Sequence, residues 1–157
     1  MRKRLVLSAA MLGLAACGGQ DDPALALMPP GGILLSYTPA TNDEGFCQPE
    51  RRDVVDVGVN SVYAIRGETR FVLGDGTTRI PFQSLHKYPD EKTGMSEDKS
   101  ISILNQQGAC EDLIITVTIE SCEYLGEEGL EERACPAIGT SGASSFQDIE
   151  VIRDDRG

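Results

Sequence analysis

The chain contains no tryptophan and a single histidine, His86, among its 157 residues. Without tryptophan there is no counterpart to the central aromatic of antibody-type domains, so an all-β reading must rest on strand periodicity. One imidazole between Leu85 and Lys87, with no G-x-S-x-G turn, leaves nucleophilic catalysis without a recognised nucleophile and base, and His86 reads as structural or solvated. Gly139-Thr140-Ser141-Gly142 departs from that turn and reads as flexible linker. There is no G-x-x-x-x-G-K-[ST] loop to cradle phosphate, which argues against a nucleotide enzyme. No C-x-x-C pair occurs, so the cysteines do not resemble a zinc module. Neither a cofactor nor a metal site is expected. Basic residues are scarce, 14 against 25 acidic. Nucleic acid and anionic lipid both need clustered Lys and Arg to neutralise phosphate, and this chain does not offer them. A cationic protein would be attracted instead, although solubility through net charge is the simpler use of such an excess.

What the chain does have begins at its first residues. A basic stretch (Arg2, Lys3, Arg4) precedes an apolar one (Leu5 to Leu14) that ends in small residues, the three parts of an export signal. About ten apolar residues are too few for a spanning helix, which needs about twenty. Leu14-Ala15-Ala16-Cys17 resembles the lipobox of bacterial lipoproteins. That resemblance, which covers the signal and cleavage site only, implies that the Cys17 thiol accepts lipid and becomes the first mature residue. It also implies a membrane-anchored protein, since two or three acyl chains hold far better than one. Gly18, rather than Asp, follows the cysteine, and by the same resemblance the outer membrane is favoured over the inner. Once residues 1–16 are removed, 11 basic residues face 25 acidic ones, and the exported part carries a formal charge of −14.

With Cys17 assigned to lipid, four cysteines remain: Cys47, Cys110, Cys122 and Cys135. An even number in an exported chain reads as two disulfides and points to an oxidising periplasm. A straight strand from Asp112 to Ser121 would hold Cys110 and Cys122 about 40 Å apart, which removes one of the three pairings. Cys47–Cys110 with Cys122–Cys135, or Cys47–Cys122 with Cys110–Cys135, stay open. The first is favoured because Cys122–Cys135 closes a short polar loop.

Residues 17–32 read as the lipidated cysteine and a flexible tether, with prolines and glycines breaking regular structure. Ala24 to Met28 offers an alternative as an edge strand. Residues 33–157 read as one β domain. Leu113, Ile115, Val117 and Ile119 alternate with Ile114, Thr116, Thr118 and Glu120, the period of a strand with one face on a core. Val55, Val57 and Val59 repeat the pattern, and Ser61 to Arg66 continues it. Arg66-Gly67-Glu68 is expected to turn into a strand from Thr69 to Leu73, and Gly74-Asp75-Gly76 to turn into Thr78 to Phe82, where Pro81 marks an edge. Ile33 to Thr38, Ser100 to Asn105 and Ser145 to Arg153 complete seven or eight strands. The expected fold is an antiparallel Greek-key β-sandwich of Ig-like architecture, with a small β-barrel as the alternative.

Two long polar stretches, Tyr88 to Lys99 and Glu123 to Gly142, are where binding would reside on such a scaffold. Glu123, Glu127, Glu128, Glu131 and Glu132 repel one another at helical spacing, so their segment reads as a solvated loop, with calcium or a basic partner as lesser alternatives. Asn42, Asp43 and Glu44 lack an EF-hand arrangement. The leading functional expectation is a non-enzymatic binding or structural module held at the periplasmic face of the outer membrane. An inhibitor of a cationic envelope enzyme such as lysozyme, and an envelope hydrolase using carboxylates, are the alternatives.

Overall fold

The computed structural model describes residues 23–57, 61–101 and 108–154. Cys17 and the export signal expected over residues 1–16 lie outside them, as do Val59 and the 102–105 part of the strand expected at Ser100 to Asn105. Nine strands occur among the described residues: β1 (Ile33–Thr38), β2 (Glu50–Asp56), β3 (Val62–Leu73), β4 (Gly76–Leu85), β5 (Met95–Ile101), β6 (Ile114–Gly126), β7 (Gly129–Arg133), β8 (Ile138–Ser141) and β9 (Asp148–Arg153). No described helix is long and apolar enough to cross a membrane.

The strands form two sheets that face each other across one apolar core, an all-β sandwich with no closed barrel. One sheet runs β5-β2-β1-β8, the other β4-β3-β6 with β7 and β9 sharing the far edge of β6. β6 is long enough to serve both partners: Ile114 to Ile119 pair with β9, and Cys122 to Gly126 with β7. Its alternation behaves as the sequence predicts, with Leu113, Ile115, Val117 and Ile119 all buried. A bulge beside Arg66 and Gly67 then shifts the register by one residue, which turns Cys122 and Tyr124 back toward the core. Most pairs are antiparallel, but β8 runs parallel to β1 and β9 parallel to β6, so both sheets are mixed.

Several expectations change. Arg66-Gly67-Glu68 is not a turn: β3 continues through it, because Gly67 sits against the Thr118 carbonyl of β6 and the Phe82 ring, where any Cβ would collide. Gly74 and Asp75 do form the two-residue turn into β4, with Gly74 at φ 60°. β4 is an edge of its sheet, as Pro81 requires. The stretch Glu123 to Gly142 is not a loop. Glycines 126 and 129 close a hairpin between β6 and β7, and Gly139 to Ser141 belong to β8 instead of a linker. Pro23–Leu27 forms a 3-10 turn, not an edge strand; Gly32 N closes a local turn on Pro29 O (2.9 Å), and Ile33 N donates to Ala137 O (2.9 Å), which joins the start of β1 to the residue before β8.

Cys47 bonds to Cys110 and Cys122 to Cys135, the favoured pairing. The first ties the loop after β1 to the segment entering β6. The second fixes the base of the β6–β7 hairpin to the strand-free link before β8.

Candidate functional site

Strand β2 opens with Glu50-Arg51-Arg52-Asp53, and its period of two sorts these charges onto opposite faces. Arg51, Asp53 and Val55 point between the sheets and are buried, whereas Arg52 and Val54 lie on the outer face. Two polar sites result, one sealed and one open, back to back across the same strand.

The sealed site centres on an ion pair. Arg51 donates to both oxygens of Asp53, Nε to Oδ1 (2.8 Å) and Nη2 to Oδ2 (2.6 Å), and through Nη1 to Thr69 Oγ1 on β3 (3.1 Å). Ser84 Oγ on β4 donates to Asp53 Oδ2. The Phe82 ring closes the cluster, its centroid 3.5 Å from the Arg51 guanidinium carbon. Burial pushes the Arg51 pKa down, but the charge and hydrogen bonds of Asp53, with Tyr37 beside it, more than offset that and raise it overall. Burial pushes the Tyr37 phenol up to about 12, tempered by the Arg51 charge. The Tyr37 hydroxyl makes no well-formed hydrogen bond among the described residues.

His86 belongs to this interior. It follows β4, its amide donates to Tyr63 O (2.7 Å), and its Nδ1 lies 3.2 Å from Ser96 O. A carbonyl only accepts, so the neutral ring carries its proton on Nδ1 and leaves Nε2 as a buried acceptor with no partner among the described residues. Burial lowers the His86 pKa, against the pull of Asp53 and Asp98. With the side chain buried to 1% exposure, a substrate in solvent does not reach it. Its effect is to clamp the end of β4 to β5, together with the Leu85 amide, which donates to Asp98 Oδ2 (3.1 Å).

The open site is a pocket of about 390 Å³ on the outer face of the β5-β2-β1-β8 sheet. Val54 and Met95 from the strands and Leu25 from the 3-10 turn supply apolar lining, and Arg52, Glu97 and Asp90 supply charge. The loop from Tyr88 to Thr93 forms one wall. It is closed on itself: Asp90 Oδ1 accepts from the amides of Lys92 (2.9 Å) and Thr93 (3.0 Å), while Asp90 N donates to Met95 O (2.7 Å). Those amide donors hold the Asp90 carboxyl below the usual carboxylate range. Glu97 bridges Arg52 (2.9 Å) and Lys99 (3.6 Å). Tyr88 stands at the rim, 84% exposed. The pocket therefore offers an apolar bed, an aromatic edge and an ion-paired side, a composition suited to binding. A general acid for glycoside hydrolysis needs a raised pKa, and Asp90 is shifted the other way.

Of the stretches singled out in the sequence, the first, Tyr88 to Lys99, contributes a pocket wall and then becomes β5 from Met95 onward. The second carries its glutamates on a hairpin, where Glu123 pairs with Arg66 (2.8 Å) and Glu131 with Arg133. Leu125 and Leu130 face each other across its tip, both exposed. Asn42 caps its own turn, its Oδ1 accepting from the amides of Glu44 (3.0 Å) and Phe46 (2.8 Å). Among the described residues no three His, Cys, Asp or Glu side chains gather as a metal site. Arg51 and Asp53 were the residues sequence reasoning missed. Their signal was the alternation Arg51, Asp53, Val55, opposite charges two apart leading into an apolar position. Compared with known proteins, the chain matches no family model, no curated protein and no solved structure.

Proposed function

We propose that this chain is a lipoprotein anchored through Cys17 at the periplasmic face of the outer membrane, and that its β-sandwich is a non-enzymatic binding module. The observation that carries the binding reading is the pocket on a rigid sheet face, walled by a self-closed loop and rimmed by exposed Tyr88. The sealing of His86 supports the same reading, since the chain's one imidazole is spent on clamping β4 to β5. Two disulfides are in keeping with an oxidising compartment. The test uses the mature protein, with amide chemical shifts followed while small-molecule fractions of the envelope are added. Shifts concentrated at Tyr88 to Glu97 and lost in Tyr88→Ala are expected. Turnover of an envelope polymer by the protein, with the pocket resonances unmoved, would replace binding by catalysis elsewhere on the surface.

The β6–β7 tip favours a second reading, inhibition of a cationic envelope enzyme. There the exposed Leu125–Leu130 pair is flanked by Glu127, Glu128 and Glu132, an apolar patch among carboxylates that complements a basic surface. Binding to lysozymes that weakens with salt and with Leu125→Ser is its expected mark. Binding unaffected by either, or none at all, removes it.

A further inference from the structure

The acyl chains and the first fastened residue of the sandwich are separated by very little chain. Pro23 begins the 3-10 turn that lies across the outer face of the β5-β2-β1-β8 sheet: Leu25 lines the pocket at its β2–β5 side, and the Leu27 carbonyl sits against Gly139 of β8. Six Cα steps connect Cys17 to Pro23, a reach of at most about 22 Å even when fully extended. A compact domain of roughly 130 residues has a radius near 18 Å, so a chain leaving one face would need about 55 Å to pass round to the opposite one. A fifteen-residue tether, reaching about 50 Å, would have left the domain nearly free to turn. The short one does not.

We infer that the outer face of this sheet, bearing Leu27, the pocket mouth and Tyr88, docks on the phospholipid headgroup layer of the membrane that holds the Cys17 lipid. The inference rests on the anchoring proposed above and adds an orientation and a contact surface to it. Three features of the face suit a headgroup layer. Leu27 (57% exposed) and Tyr88 (84% exposed) bracket it with apolar and aromatic surface, and tyrosine is the kind of side chain that partitions to a bilayer interface. Lys92 and Lys99 fall in the segment that borders it and Arg52 of β2 lines the pocket, whereas Lys87 lies over the Tyr63 ring of β3 in the other sheet. Against Asp90, Glu91 and Glu97 these three cations leave the face close to charge balance, whereas the β6–β7 hairpin of the other sheet concentrates glutamates. An acidic body tethered beside anionic headgroups is repelled least with this face toward them. Docking also turns the pocket mouth to the lipid layer.

The absence of tryptophan makes a direct test available. Tyr88→Trp places a single indole on the docking face, and Thr77→Trp places one on the exposed side of β4 in the opposite sheet. Each full-length protein is expressed in its host, isolated with its anchor and reconstituted into phosphatidylethanolamine–phosphatidylglycerol vesicles containing brominated lipid. Mass spectrometry of the N-terminal peptide first reports acyl mass on Cys17. With that mass present, the indole of the Tyr88→Trp variant is expected to emit at shorter wavelength than in the same variant carrying Cys17→Ser and free of membrane. It should also be quenched by bromolipid at least about twofold more than the indole of Thr77→Trp. Acylated protein in which both indoles stay equally open to aqueous quencher overturns the docking face and leaves the anchor standing. Absence of acyl mass overturns the anchor and the orientation with it.

Discussion

Replacing Asp53 with asparagine keeps the shape of the side chain and removes the charge that neutralises Arg51. In the native interior Arg51 is 3% exposed and Asp53 fully buried, and the guanidinium is held between Asp53, Thr69 and the Phe82 ring. Arg51 cannot shed its proton, and reaching water would require the two sheets to part. Leaving one member of a buried pair uncompensated costs about 3–5 kcal/mol, a large share of the roughly 5–15 kcal/mol that holds a domain of this size. At about 2.1 cal/mol/K of unfolding entropy per residue over roughly 130 residues, the melting temperature should fall by about 10–18 °C. Urea unfolding at neutral pH, followed by far-ultraviolet circular dichroism, measures the loss directly. The companion variant Arg51→Met/Asp53→Leu removes both charges. It should lie within about 2 kcal/mol of the parent, the residual being the stranded hydroxyls of Ser84 and Thr69. A loss below about 1 kcal/mol for Asp53→Asn, or a double variant no better than the single one, would refute the claim that a desolvated ion pair organises this core.

Removing the disulfides should rank by loop length: Cys47→Ala/Cys110→Ala, which opens a separation of 63 residues, costs about 4 kcal/mol and Cys122→Ala/Cys135→Ala, with a separation of 13, about 3 kcal/mol, both read by denaturant midpoint. Tyr37 retains its proton in the folded state up to about 12 but would lose it near 10 when unfolded, so its stabilisation is complete below pH 10 and drains away between pH 10 and 12. Tyrosinate absorbance should show one of the four tyrosines ionising only as the protein unfolds, and Tyr37→Phe should lack that step. His86 has the opposite sense: its folded pKa lies below 6.5, so the unfolded chain binds the proton first, and stability present above pH 6.5 declines as pH falls from there toward the folded pKa. Comparing urea midpoints of the parent and His86→Gln across that interval should show a slope in the parent that the variant lacks. Equal slopes would mean that His86 is not the group responsible.

Wherever a strand has one apolar face and one polar face, the sequence shows it. β6 is legible at Leu113, Ile115, Val117 and Ile119 and the β3–β4 turn at Gly74 and Asp75, because side-chain period and backbone permissiveness are local properties, while β1, buried on both faces from Ile33 to Tyr37, shows as a short apolar run. β2 was half hidden. Its first four residues are charged, and nothing local says that Arg51 and Asp53 will meet inside a sandwich, where each makes the other's burial tolerable. Gly67 misled for a related reason: glycine serves both a turn and a close strand approach, and only the position of Thr118 and Phe82 decides between them. The β6–β7 hairpin escaped notice because its glutamates lower apparent strand character while the pairing of Leu125 with Leu130 and of Tyr124 with Glu131 is a matter of register. The pocket was foreseen only as a place, the loop after Tyr88. Its other wall comes from Leu25, some sixty residues earlier in the chain. The sequence by itself determined the all-β class and narrowed the three cysteine pairings to two, since each follows from composition, spacing or period. Only the tertiary structure decided which of those two pairings forms, which charges are sealed and which face carries the pocket, because each depends on segments far apart in sequence meeting across a sheet.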